Sequence, residues 1–219
     1  MGILNGTSNF ILTKMTREQT SFEDALDEAQ RLGFAEADPT DDVEGVDAAR
    51  KVVITSYLSF NQVIKLNDVK LTGISGTTLS DINAADQLGF KIKLIGKGTY
   101  ENGHVHASVE PTLIHKSHQL AAVENEYNAI YVIGDAVGDT MFYGKGAGSL
   151  ATGSAVVSDL LNVALFFESN LHTLPPHFEL KTDETREMMD GEEPVVIQEK
   201  LNYYIVLQNN HLTVDKIEN

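Results

Sequence analysis

Apolar residues recur at helical spacing in two bounded segments of the first sixty residues. Phe22, Ala25, Leu26, Ala29 and Leu32 follow Ser21, Asp24 stands three residues after that serine as a capping-box acid, and Gly33 closes the run. The spacing predicts a helix from Ser21 to about Leu32, and a second helical pattern runs from Val46 to about Phe60. Between them, Phe34 to Gly45 is polar and acidic around Pro39, which lacks an N–H donor and disfavours helix at Asp38, so this stretch predicts a loop. The chain opens on Gly2-Ile3-Leu4-Asn5-Gly6-Thr7-Ser8-Asn9, small and polar, then runs directly into Phe10-Ile11-Leu12. That is the pattern of a loop entering a helix. It begins in mid-motif, as a piece of a longer protein would.

The period then changes. Val69 to Ile74 predicts a strand, and Ser80 is placed to cap a short helix ending at Gly89. Phe90, Ile92 and Leu94 alternate with Lys91 and Lys93, and Val105, Ala107 and Val109 alternate with His106 and Ser108. Asn102-Gly103 between these runs favours a hairpin, although the whole connection reads as longer than a two-residue turn. Ala129 to Ile133 and Thr140 to Tyr143 supply two more strands. One apolar face per strand predicts an α+β fold, a mixed and largely antiparallel sheet with helices packed on one face. Gly144-Lys145-Gly146-Ala147-Gly148-Ser149 leads into an apolar helix from about Leu150 to Phe167. Residues 1–177 are expected to form the main domain and 178–200 a polar linker, with Leu201 to Leu207 a strand. A lone strand cannot form a domain, so 201–219 reads as the truncated start of a further module or as an added edge strand.

Composition narrows the function classes. Sixteen basic against 32 acidic residues give a formal charge of −16, which repels phosphate backbones and anionic headgroups and makes nucleic acid and membrane surfaces poor partners. The absence of cysteine removes disulfides, thiolate nucleophiles and sulfur-ligated zinc, and fits a reducing cytoplasm. No apolar stretch reaches the length of a membrane span.

The densest chemistry lies between Gly33 and Lys51. Asp47 and Lys51 are four residues apart, so on a helix they share a face with the acid on the favourable N-terminal side. Apolar neighbours around Lys51 suggest a buried stem with the ammonium turned towards the acidic loop. Such a lysine can serve as general acid or base, or the pair can be an ordinary helix-surface ion pair. Glu36, Asp38, Asp41 and Asp42 either ligate a hard cation or bind a substrate ammonium; EF-hand spacing is absent, and ammonium binding fits better. Gly144-Lys145-Gly146-Ala147-Gly148 can bring N–H groups to an anionic ligand at a helix N-terminus or can be a tight turn without a ligand. His104 and His106 share a strand face without a third ligand, and no metal site is assigned.

Three motifs together resemble the catalytic portion of homoserine dehydrogenases: Gly2 to Asn9, Gly33 to Lys51 with its Glu-x-Asp-Pro-x-Asp-Asp and Asp-x-x-x-Lys, and Gly146-Ala147-Gly148 leading to Ser154-Ala-Val-Val-Ser-Asp159. The resemblance spans residues 2 to about 167. It implies reduction of aspartate-4-semialdehyde to homoserine with NADH or NADPH, on the route to threonine, methionine and isoleucine. Lys51 then matches the catalytic lysine and Asp47 the acid that orients it. Glu36 and Asp42 match the carboxylates that hold the ammonium, with Asp41 beside them. Gly6 and Thr7 match a substrate-contacting turn, and Gly146 and Gly148 the glycines near the nicotinamide end of NAD or NADP. The family's N-terminal Rossmann domain has no counterpart here, so this chain alone is expected to be inactive. The apolar faces of residues 3–12 and 150–167 are expected to lose a partner, and a homodimer is expected. The tail resembles the opening strand of an ACT-type regulatory module. The competing reading is a non-enzymatic oligomerisation module, or one that binds a cation or an effector.

Overall fold

A computed structural model of the chain describes residues 1–168, 203–208 and 211–216. Met1–Ser154 and Ala155–Asn219 form two compact units. In the first, strand β1 (Gly2–Ile3) leads into helix α1 (Gly6–Glu18), which starts where the Asn5 side chain accepts a hydrogen bond from Ser8 N. Helix α2 (Phe22–Arg31) starts on the predicted Ser21 cap, which accepts from Asp24 N. Helix α4 (Val46–Phe60) follows Gly45, whose φ of 79° belongs to the left-handed region open to glycine.

The acidic stretch expected as loop contains one helical turn, α3 (Thr40–Val43). Pro39 stands just before it, where its missing N–H costs nothing, and the Asp38 carboxylate accepts from both Thr40 N and Thr40 Oγ1. The predicted strand from Val69 to Ile74 shrinks to β2 (Lys70–Leu71), because beyond it the chain bends and Ile74 N donates to Val43 O. Helix α5 (Leu79–Gln87) is capped by Thr78 rather than Ser80, in a reciprocal box with Asp81.

The sheet is six-stranded, in the order β2-β4-β3-β1-β5-β6, where β3 is Phe90–Glu101, β4 His104–His115, β5 Tyr127–Gly134 and β6 Gly138–Lys145. Only β2–β4 is parallel. Pairing of Glu101 with His104 makes the first hairpin a two-residue turn after all, with Asn102 at φ 54° and Gly103 at φ 86°. The alternation had concealed this, because Gly96 and Gly98 interrupt the apolar pattern while the pairing runs on.

The fold is α+β. Helices α1, α4 and α5 cover one face of the sheet with α2 packed on α1, and Ile11, Leu12, Met15, Ala49, Val52, Leu94 and Val109 are buried together there. On the other face a smaller cluster of Ile3, Ile95, Ile114, Leu120, Val123 and Tyr131 forms with the 3-10 turn Gln119–Ala122. Residues 3–12 do not lose a partner as expected: Ile3, Leu4, Phe10, Ile11 and Leu12 are all buried within the chain. By contrast, Leu150, Val156, Leu160 and Leu165 of α6 (Ser149–Glu168) are exposed. The expected strand at 201–207 is not alone, since β7 (Tyr203–Gln208) pairs antiparallel with β8 (His211–Lys216). The linker expected at 178–200 lies outside the described residues. Among the described residues no helix is long and apolar enough to cross a membrane.

Candidate active site

The junction of β1 and α1 meets the start of α4. Lys51, one turn into α4 from Asp47, donates from Nζ to Asp47 Oδ2 at 2.7 Å and to the main-chain oxygen of Leu4 at 3.0 Å. An ammonium has three N–H donors; two are committed, and the third has no partner among the described residues. The Lys51 side chain is 44% exposed, and its two hydrogen bonds hold the ammonium in place. The bond to the Leu4 oxygen is what an isolated i,i+4 ion pair on a helix surface lacks.

Asn5 ties the acids together. It is 5% exposed, and its Nδ2 donates to Asp42 Oδ1 at 2.6 Å and to Asp47 Oδ2 at 2.9 Å. Lys51, Asp47 and Asp42 thus form one bonded network through a residue to which the sequence reading gives no role of its own. The other expected residues stand differently. Asp41 turns away to pair with the Arg50 guanidinium. Glu36 is exposed; its main-chain oxygen accepts from Gln30, and its carboxylate meets no donor among the described residues. Asp38 is engaged with Thr40, whose hydroxyl and then N–H hold that carboxyl below its ordinary range. Thr7 Oγ1 donates to Phe34 O at 2.6 Å, so its hydroxyl fastens α1 to the start of the acidic stretch.

Gly6 and Gly146 meet the same side chain. A Cβ on Gly6 would stand 2.7 Å from Glu126 O and 3.4 Å from Asn128 Oδ1, and one on Gly146 would fall 2.3 Å from Asn128 Nδ2. Asn128 Oδ1 is buried without a hydrogen-bond partner. The need for glycine at 146 therefore comes from the Asn128 amide of this chain. Gly148, at φ 112°, has open space where a Cβ would be and lies at the start of α6, where Thr152 N donates to its oxygen. The positive φ, rather than crowding, is what favours glycine at 148. Asn5 and Asn128 escaped the sequence reading because the partners that give them significance are far away along the chain.

The site is open. Two surface grooves of about 510 and 520 Å³ are present, and neither is lined by Glu36, Asp41, Asp42, Asp47 or Lys51. Among the described residues no group of three or more His, Asp or Glu is arranged to hold a metal ion.

A family model described as homoserine dehydrogenase matches residues 1–161. The homoserine dehydrogenase of Bacillus subtilis is 56% identical over 163 residues, covering 74% of this chain and 38% of the relative; that of Synechocystis is 48% identical over 167 residues, covering 74% and 39%. The crystal structure of S. aureus homoserine dehydrogenase at pH 7.5 superposes with a TM-score of 0.75 at 89% identity, over 85% of this chain and 46% of that one. A hyperthermophilic archaeal homoserine dehydrogenase mutant in complex with NADPH matches with a TM-score of 0.62 at 27% identity, over 75% of this chain and 46% of that one. The chain thus spans less than half the length of these relatives, and over most of its own length it belongs to the homoserine dehydrogenase family.

Proposed function

We propose that this region is the substrate-binding and proton-handling part of an oxidoreductase that interconverts L-homoserine and L-aspartate-4-semialdehyde with NAD or NADP. The observation that carries this reading is the Lys51 ammonium, held from two sides with one donor free, beside carboxylates gathered on Asn5 in a chain of this family.

A substrate ammonium is held by carboxylate oxygens left over from internal bonding. Asp42 has such an oxygen, since its Oδ1 is engaged by Asn5, and the Glu36 carboxylate is free for the same task. Lys51 then stands at the reacting oxygen. In semialdehyde reduction its ammonium gives a proton to the oxygen that becomes the hydroxyl; in homoserine oxidation the neutral amine takes that proton back. Asp47 keeps the nitrogen oriented through both states, and the Leu4 oxygen fixes it from the other side. When bound, NAD(P) would supply the hydride exchanged with the substrate carbon, two electrons together with one hydrogen, and Gly148 with its neighbours at the start of α6 is the part of this chain that would receive it. Dinucleotide binding by a further domain, a homodimer and a cytoplasmic location complete the proposal.

The test is turnover of homoserine with NAD(P)⁺ by a full-length homoserine dehydrogenase that carries this region, together with calorimetry using homoserine and Ca²⁺. Reduction of NAD(P)⁺ and saturable homoserine binding support the reading. Tight Ca²⁺ binding that homoserine does not disturb, without turnover, would replace it with a cation-binding module.

A further inference from the structure

We infer that Asn5 is a positioning residue that sets both halves of the site at once, the proton-handling lysine and the ammonium-binding acid. The inference rests on the functional reading above and extends it to a residue with no assigned role.

Both hydrogens of the amide are committed. Its Oδ1 accepts from Ser8 N at 2.8 Å, and this bond decides which way the amide faces, because an N–H donor requires the oxygen there. Nδ2 is thereby turned to the two carboxylates, one hydrogen for each: 2.6 Å to Asp42 Oδ1 and 2.9 Å to Asp47 Oδ2. With both side-chain hydrogens spent on the acids and the residue 5% exposed, Asn5 has no donor left for a substrate and acts through its neighbours. Asp47 Oδ2 also accepts from Lys51 at 2.7 Å, which makes Asn5 the next bond outward from the catalytic ammonium. Leu4, the preceding residue, supplies the second acceptor for Lys51. The turn that starts α1 therefore holds Lys51 by its backbone and both acids by its side chain. Burial of Asn5 to 5% exposure protects these bonds from competition by water.

Replacing Asn5 by serine keeps a good helix cap but is too short to bridge two carboxylates. Replacing it by aspartate also keeps the cap, removes both donors and adds a third negative charge. In a full-length homoserine dehydrogenase carrying this region, Asn5→Ser is expected to lower kcat by ~10–100-fold, the scale of loss when a catalytic group is set slightly wrong. The same variant is expected to raise KM for homoserine while leaving KM for NAD(P) unchanged, and Asn5→Asp should be worse on both counts. In a double-mutant cycle, Asn5→Ser should cost little more once Asp47→Asn is present. A loss confined to the fraction of folded enzyme, with KM unchanged and with full additivity to Asp47→Asn, would overturn the positioning role. If the unmodified enzyme fails to oxidise homoserine, the functional reading falls instead. Slow solvent exchange of the Asn5 side-chain amide protons in this chain, read by NMR, then still decides whether Asn5 holds both acids, and rapid exchange would refute it.

Discussion

Lys93 offers a prediction whose size can be worked from the structure. It lies on β3 at a position that strand alternation assigns to solvent, yet it is 2% exposed, and its Nζ donates to Asn9 Oδ1 at 2.9 Å and to Val123 O at 2.6 Å. Burial, and then the nearby Lys91 and Arg17 charges, lower its pKa from 10.5 to about 7 against the opposing pull of Glu124. The unfolded chain keeps this proton up to about pH 10.5, whereas the folded chain gives it up above about pH 7. Between those values the unfolded state binds more protons, so stability rises with pH. Below pH 7 both states are protonated and the full cost of burying the charge is present; above 10.5 it is gone. At roughly 1.4 kcal/mol per pKa unit, the interval corresponds to a gain on the order of 5 kcal/mol, with a slope approaching one proton per molecule. Lys93→Met keeps the stem and removes the titrating group. Urea unfolding followed by circular dichroism, suited to a chain without tryptophan, should show the variant's stability rising less steeply across this interval than the parent's. The half-buried N-terminal amine, whose pKa is also lowered, contributes equally to both and cancels in the difference. Identical slopes would refute the assignment of this proton to Lys93.

The remaining predictions concern the site. Gly146→Ala would drive a Cβ to 2.3 Å from Asn128 Nδ2 and force that amide to move; overpacking of this kind costs ~1–3 kcal/mol, visible as a lowered Tm. Asp42→Asn should raise KM for homoserine by ~10-fold more than Asp41→Asn, because Asp41 is already paired with exposed Arg50 while Asp42 faces the network; equal effects would contradict the division. Glu36→Gln should chiefly weaken homoserine binding through the loss of a charge-assisted bond, and an unchanged apparent affinity would count against its role.

The legible parts of this molecule were those written in short-range pattern. Ser21 with Asp24 announced α2, and Asp47 four residues before Lys51 announced the ion pair, because a helix brings such residues together whatever surrounds it. Strand β1 was not legible: two residues are too few for a period, and its place between β3 and β5 is fixed by pairing with Gly96 and Ala129. Lys93 was misassigned because alternation treats every lysine as solvent-facing, whereas here the carbonyl of Val123 and the amide of Asn9 satisfy it in the interior. The site divides in the same way. Lys51, Asp47 and Asp42 were found from residue type and spacing. Asn5 stood unmarked in a polar run before a helix, because its nitrogen reaches residues 37 and 42 positions away, which only the fold brings near.

The central claim is that Lys51 moves a proton at the reacting oxygen while the acids hold the substrate. The most direct measurement is single-turnover oxidation of bound homoserine by a full-length homoserine dehydrogenase carrying this region, compared with its Lys51→Ala variant. The account predicts homoserine binding that is nearly unchanged and a chemical step slower by about two to four orders of magnitude. A chemical step of near-normal rate in the variant would contradict it.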